Sequence, residues 1–248
     1  MSRNIKLTIA YDGTDFCGWQ RQENCRTAQG VIEQALEKMH GSIVNLTGAG
    51  RTDAGVHAAG QTANFYTDIN SIPAGRFAPA LNTLLPHDVR ILDACEEDYN
   101  FNARFSASSR TYRYHFIRGA ALPHERLYNL NLFNYPRINI LNAYGRLLLG
   151  ETNCGIFSAA GDTSKSRNRY IYRSTFFVEG NRLIFEICAN AFLRKMVRSV
   201  AGTFLHYESK DVSPEKLKEI IADGDRSLAG PTLPPCGLFL WKVDYKKM

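Results

Sequence analysis

Gly48 to Gly60 reads GAGRTDAGVHAAG, a run that neither a helical nor a strand period explains. Gly48, Gly50 and Gly55 permit positive φ or close backbone approach, while Arg51, Thr52, Asp53 and His57 gather polar groups with no apolar repeat. Such a run is a shaped loop. Upstream, Ser42–Thr47 (SIVNLT) alternates like a half-buried strand, and downstream Gln61–Thr67 (QTANFYT) does the same, so the loop is expected to join two strands. Loops held by rigid strands are favoured seats of chemistry. Taken alone, Arg51 and Asp53 also suit a plain turn capped by Thr52 and Asp53.

Before this loop, Asn4–Tyr11 places Ile5, Leu7, Ile9 and Tyr11 on one strand face and Lys6 and Thr8 on the other. Thr27 predicts an N-cap for a helix to about His40, with Val31, Ile32, Ala35, Leu36 and Met39 inward. After it, a helix is expected over Arg76–Leu85 and a strand over Val89–Cys95. The composition turns acidic and polar around Glu96–Asn102, which sets the expected domain boundary: an N-terminal half 1–102 and a basic C-terminal half 103–248.

In the second half, Phe105–Arg118 predicts a strand with Arg110, Tyr112, Tyr114 and Phe116 on one face and Thr111, Arg113, His115 and Ile117 on the other. Tyr114 and Phe116 read as ordinary packing residues. Gly119–Pro136 is expected to be irregular, and Arg137–Gly150 a helix with Ile138, Leu141, Leu148 and Leu149 toward a core. Tyr170–Val178 and Arg182–Ala189 form a hairpin around Glu179-Gly180-Asn181. Asn190–Gly202 (NAFLRKMVRSVAG) reads as a helix with Phe192, Met196, Val197 and Val200 inward, and Ser213-Pro214 opens a last helix to about Ala222.

At 248 residues the chain buries roughly 70–75% of its unfolded surface, as one large domain or two smaller ones sharing a cleft. No apolar run approaches a membrane span and MSRNIKLTIAYDG does not read as a signal peptide, so a soluble, cytoplasmic protein is expected. Six cysteines lie apart without CxxC pairs or zinc spacing; no metal site is expected, and the cysteines read as free thiols in a reducing compartment. Asp12-Gly13-Thr14 invites a phosphatase reading, but Ala10 stands where the nucleophilic aspartate belongs. The net charge of +6 is uneven: residues 101–200 hold fifteen Lys/Arg against five Asp/Glu, and the rest of the chain fifteen against nineteen. A basic half rich in arginine points toward polyanions.

Gly48–Ala58, GAGRTDAGVHA, resembles without a mismatch the signature of the tRNA pseudouridine synthase A family. Further stretches are similar to that family: the loop DGTDFCGWQRQ (residues 12–22), Asn82 and Pro86 in an LN..LP pattern, Tyr112-Arg113-Tyr114 as its YRY motif, Asn190–Arg198 as its NAFL..MVR segment, and the closing Pro235–Leu240. The chain departs from the pattern at Thr152-Asn153-Cys154, where relatives carry a GEHDF-like stretch, so no role is carried onto these residues. Cys236 replaces a usual small residue.

The resemblance implies an α/β (α+β) fold of two similar halves, each a mainly antiparallel sheet backed by helices, with the active-site cleft between them. It implies an isomerase that converts uridine to pseudouridine at positions 38, 39 and 40 of the tRNA anticodon stem-loop, without a cofactor. Asp53 is then the catalytic carboxylate, Arg51 the residue associated with base flipping, Tyr112 a contact of the target base and Leu238 its apolar floor. Arg198 is expected to pair with the carboxylate, since an opposite charge holds a carboxyl ionised in a closed pocket. Lys165, Arg167 and Arg169 in the basic run 165–173 are expected to face tRNA, with a solvated charge run as the plainer alternative. A homodimer is implied, one subunit orienting tRNA for the other. The competing reading is an inert RNA-binding or chaperone protein, which would not require a carboxylate facing a polyanion.

Overall fold

The computed structural model describes residues 2–245. The chain divides into two compact units: one ends at Ser108 and takes in the chain again from Phe239, and the other is Ser109–Leu238. The closing strand thus groups with the first unit, whereas chain order alone had put everything after Asn102 in the second half. The fold is α/β, with mainly antiparallel strands in both units.

In the first unit, β1 (Arg3–Tyr11) runs antiparallel to both its neighbours, with Leu7 opposite Ala63 on one side and Ala94 on the other. Its period of two buries Ile5, Leu7, Ile9 and Tyr11, as expected. Helix α1 (Ala28–His40) begins where Thr27 Oγ1 accepts the Gly30 N–H at 3.3 Å, and ends at Gly41 in the left-handed region.

Residues 42–46 do not extend the expected strand. Val44 and Leu46 are buried, but the Leu46 N–H donates to Glu33 Oε1 (3.1 Å) and its carbonyl accepts from Gln29 Nε2 (2.9 Å). Side chains of α1 therefore take the bonds a strand would have used, and only β2 (Thr47–Gly48) pairs, with Asn64 and Ala63 of β3 (His57–Thr67). Helix α2 (Phe77–Asn82) stops short of Leu85 because Asn82 turns to exchange two 2.8 Å hydrogen bonds with the backbone of Ile91 in β4 (Val89–Glu97). Cys17 and Cys25 form a disulfide, Cα to Cα 6.2 Å, which corrects the expectation of free thiols for these two. The other four cysteines are free.

The second unit begins inside β5 (Ala107–Arg118), which pairs in parallel with β6 (Leu130–Leu132) and antiparallel with β9 (Arg182–Ala189). Helix α3 (Ile138–Arg146) ends earlier than expected; Leu149 is 48% exposed and Gly150 opens β7 (Gly150–Asn153) at φ +84°. The hairpin of β8 (Asn168–Glu179) and β9 (Arg182–Ala189) stands as expected. Tyr114, Phe116, Phe176, Phe185, Tyr144 and Phe204 are wholly or almost wholly buried, Phe176 stacking on Phe185 at 4.5 Å. The opposite face of β5 is buried too, at Thr111, His115 and Ile117, and there Glu186 sits between Arg113 and Arg173, 2.7 Å from each.

Asn190–Lys195 is not helical; α4 starts at Met196 and runs to Glu208. Upstream donors are claimed from outside any helix: Asn190 Oδ1 accepts from Tyr170 N and Ala191 N, Asp162 Oδ2 accepts from Arg194 N, and Lys195 adopts φ +59°. Helix α5 (Pro214–Asp223) has Ser213 as N-cap and Pro214 in its first turn, as read from the sequence. Strand β10 (Leu238–Tyr245) closes the chain, its Phe239 and Leu240 parallel to His57 and Ala58 of β3. Gly60 makes room for it, since a Cβ there would stand 2.5 Å from the Trp241 carbonyl oxygen.

Candidate active site

The loop between β2 and β3 carries Arg51 and Asp53 and is fastened along its length. Its entry is tied by Ala49 N–H to Thr62 O (2.7 Å) and by Gln61 Nε2 to Gly50 O (2.8 Å). In the middle, Thr52 is buried: its hydroxyl bonds that of Tyr11 at 2.8 Å and its carbonyl accepts from Trp19 N–H at 3.2 Å. At the exit, Gly55 N–H reaches Phe16 O (3.2 Å) and Val56 N–H closes a turn on Asp53 O (3.1 Å).

The segment after β1 lies against this loop at van der Waals limits. A Cβ on Gly13 would fall 2.0 Å from Val56 O, and one on Gly18, at φ +95°, 2.5 Å from Thr52 O. The Gly13 N–H donates to His57 Nδ1 at 3.0 Å, and the Phe239 ring stacks on the His57 ring at 4.7 Å. Asp53 itself is half-buried and Arg51 exposed, both on a backbone fixed by these contacts. Supports of this kind are what pre-organisation of a reactive group requires. Sequence reading placed Tyr11 on the buried face of the first strand and His57 among the loop's polar groups, but gave neither a supporting role; for Trp19 the only signal was the aromatic content of residues 12–22, and Gln61 had none.

The other expected site residues belong to the second unit. Tyr112, on β5 opposite Ile187, is 8% exposed and meets Phe192 edge-on at 5.0 Å. Arg198, in the first turn of α4, donates from Nε to Leu233 O at 2.7 Å. One residue on, Pro234 O accepts from the Tyr114 hydroxyl, so a strand tyrosine and a helical arginine hold the segment leading to Leu238. Burial raises the Tyr114 pKa, opposed weakly by the Arg198 charge, so the phenol keeps its proton and donates. Gly237, at φ +77°, passes so close to β5 that a Cβ would stand 2.6 Å from His115 O, and Leu238 beyond it is buried.

The basic run is partly tied down. Arg167 pairs with Asp162 at 3.2 Å and donates to Ser158 Oγ at 2.8 Å, and Arg169 donates to the carbonyls of Ser166 and Asn168. Lys165 is exposed. The departing stretch is structural: Asn153 Oδ1 accepts from Gly155 N–H at 2.9 Å, and Cys154 is buried, which pushes its thiol up to about 12.

Asp162 organises this loop. Its burial would raise its pKa, but hydrogen bonds from Arg194 N–H, from the Ser164 hydroxyl and N–H, and the Arg167 charge win and hold it at about 2. A depressed carboxyl pKa contributes stability that is complete above the ordinary value of 3.8 and lost as pH falls through about 2. Amide exchange at Ser164 and Arg194 is therefore expected to accelerate between those pH values in the native chain and to be already fast in Asp162→Asn.

Among the described residues no group of three or more His, Cys, Asp or Glu is placed to hold a metal ion, and no helix is long and apolar enough to cross a membrane. A family model described as tRNA pseudouridine synthase matches residues 7–106 and 145–246. The chain is 51% identical to the tRNA pseudouridine synthase A of Treponema denticola, over 98% of this chain and 93% of that protein. It is 42% identical to the protein of the same name from Caldicellulosiruptor saccharolyticus (98% and 100%) and 40% identical to that from Brachyspira hyodysenteriae (98% and 98%).

Proposed function

The chain belongs to the tRNA pseudouridine synthase family, and from that membership we propose that it isomerises uridines 38, 39 and 40 of the tRNA anticodon stem-loop with Asp53 as its essential carboxylate. The observation that carries the assignment is the loop itself: buried Thr52 and the Gly55 and Val56 amides fix the backbone on both sides of a half-buried Asp53.

The reaction breaks the bond from ribose C1′ to uracil N1, turns the base, and joins C1′ to C5; the C5 hydrogen leaves to solvent and N1 gains a proton. Atoms and electrons balance within the substrate, so no cofactor takes part. A stacked uridine is out of reach, and extruding it costs a few kcal/mol. Arg51, exposed beside Asp53 in the chain, takes the vacated place in the stack. Ionised Asp53 then attacks C1′ or C6, or assists proton removal at C2′. Tyr112 holds the base while it turns, a contact worth about 1–3 kcal/mol, and Leu238 supplies its apolar floor. Arg198 completes the catalytic set as its cation. The enzyme works in the cytoplasm as a homodimer in which one subunit orients tRNA for the other.

Incubating the protein with undermodified tRNA carrying tritium at uridine C5 tests the assignment. Label released to water, with pseudouridine mapped at 38–40, supports it; tRNA binding without release leaves the inert RNA-binding reading. Lys165, Arg167 and Arg169 contact tRNA phosphates. Their joint replacement by alanine is expected to reduce the slope of log affinity against log salt by about two, and an unchanged slope would refute those contacts.

A further inference from the structure

Residues 17–25 form a ring closed by the Cys17–Cys25 disulfide, and three successive residues of that ring touch the loop bearing Arg51 and Asp53. Gly18 abuts the Thr52 carbonyl, Trp19 N–H donates to it, and Gln20 Oε1 accepts from Arg51 Nε at 3.1 Å. The Trp19 ring also stacks on Tyr11 at 6.0 Å, whose hydroxyl holds Thr52. The base of the ring is anchored by Cys17 N–H to Arg26 O (2.8 Å), and Arg26 grips Asp88 through two hydrogen bonds of 2.7 and 2.9 Å. Gln20 itself is exposed, so its place depends on the ring.

We propose that Gln20 is a positioning residue that orients the Arg51 guanidinium, and that the Cys17–Cys25 disulfide makes this positioning redox-sensitive. The inference rests on the reading of Arg51 and Asp53 as active-site residues. A disulfide restricts the conformations open to the segment it closes, and disulfides of intracellular proteins are mostly redox-sensing or catalytic rather than structural. Reduction by a dithiol breaks the S–S bond; two electrons and two protons pass to the protein sulfurs, and the reductant becomes its own disulfide. With the ring opened, residues 18–24 gain freedom and Gln20 meets Arg51 less often. Phe16, Gly13 and the Tyr11 hydroxyl still hold the Asp53 loop, so the effect is graded rather than total.

The test is single-turnover tritium release with enzyme in saturating excess over tRNA. Treatment of the oxidised native protein with dithiothreitol is expected to slow release about fivefold, the worth of one hydrogen bond, with tRNA affinity changed less than about twofold. The Cys17→Ser/Cys25→Ser double variant is expected to run at the reduced rate and ignore dithiothreitol, although Cys95, Cys154, Cys188 and Cys236 remain. Gln20→Ala slows release equally with the disulfide intact, and Gln20→Glu, which keeps an accepting oxygen, restores it. Six titratable thiols in the air-oxidised protein, or equal rates for the oxidised, reduced and Gln20→Ala proteins, overturn the proposal. Asp53→Asn separates it from the reading beneath: if that variant releases label, the active-site assignment fails, and if it does not, the Gln20 result stands or falls alone.

Discussion

Asp53→Asn is expected to stop tritium release from uridine C5 altogether, a loss of roughly 10^4-fold or more for removal of the essential ionisable group, while tRNA binding persists. The substitution is nearly isosteric, and the backbone around it is held by contacts that do not involve its carboxyl oxygens: Thr52 to Tyr11 and Trp19, Gly55 to Phe16, and Val56 to the Asp53 carbonyl. The variant is therefore expected to fold, with an unchanged far-UV spectrum. Removing a negative charge beside a polyanion leaves affinity for tRNA unchanged or raised. Retarded tRNA on a native gel together with silent tritium release is the expected pair of results. Release at even a hundredth of the native rate would transfer the essential role to another group.

The second large effect is structural. Gly202→Ala in α4 is expected to destabilise the protein, although alanine is the better helix former by about 1 kcal/mol. A Cβ on Gly202 would sit 1.8 Å from the Pro231 carbonyl oxygen, and Gly230 is itself so near that its own Cβ would fall 2.7 Å from Thr203 Cα. Backbone meets backbone here, and Thr203 Oγ1 seals the contact by accepting from Gly230 N–H at 3.0 Å. Forced overpacking costs about 3 kcal/mol, which outweighs the helical gain and leaves a net loss of about 2 kcal/mol. The melting midpoint should fall by about 4–8 °C. Because Arg198 and Leu233 exchange hydrogen bonds along the same seam, catalysis should weaken even in the fraction that remains folded. A midpoint that stays put or rises would show that the helix can move off the segment at little cost.

What sequence could reach depended on how far away the deciding partner lay. The alternation of Ile5, Leu7 and Ile9, the Thr27 and Ser213 caps and the Glu179–Asn181 turn are local chemistry, and each appears as read. Ser42–Thr47 alternates just as well, yet its backbone is claimed by Gln29 and Glu33, side chains that no local period reveals. Asn190–Lys195 continues the apolar spacing of α4, but Asp162 takes its donor from more than thirty residues away. The Cys17–Cys25 pair is not legible in the sequence because a separation of eight residues is diagnostic of neither a metal site nor a disulfide. Of the candidate site, the loop was visible in its odd composition. The roles of Tyr112, Arg198 and Leu238 came through family resemblance, since a strand tyrosine, a helical arginine and a buried leucine look ordinary on their own.

The strand beside His57 and Ala58 in β3 is drawn from residues 238 onward, and this sets an order of events during translation. A nascent chain that has delivered the whole Asp53 loop still lacks the neighbour that Phe239 provides for the His57 ring. The intervening unit, Ser109–Leu238, is synthesised in between and can fold while the first waits with one strand edge open. Chains interrupted just before Phe239 would therefore carry one finished unit and one unfinished, and the unfinished one is the unit that holds Asp53.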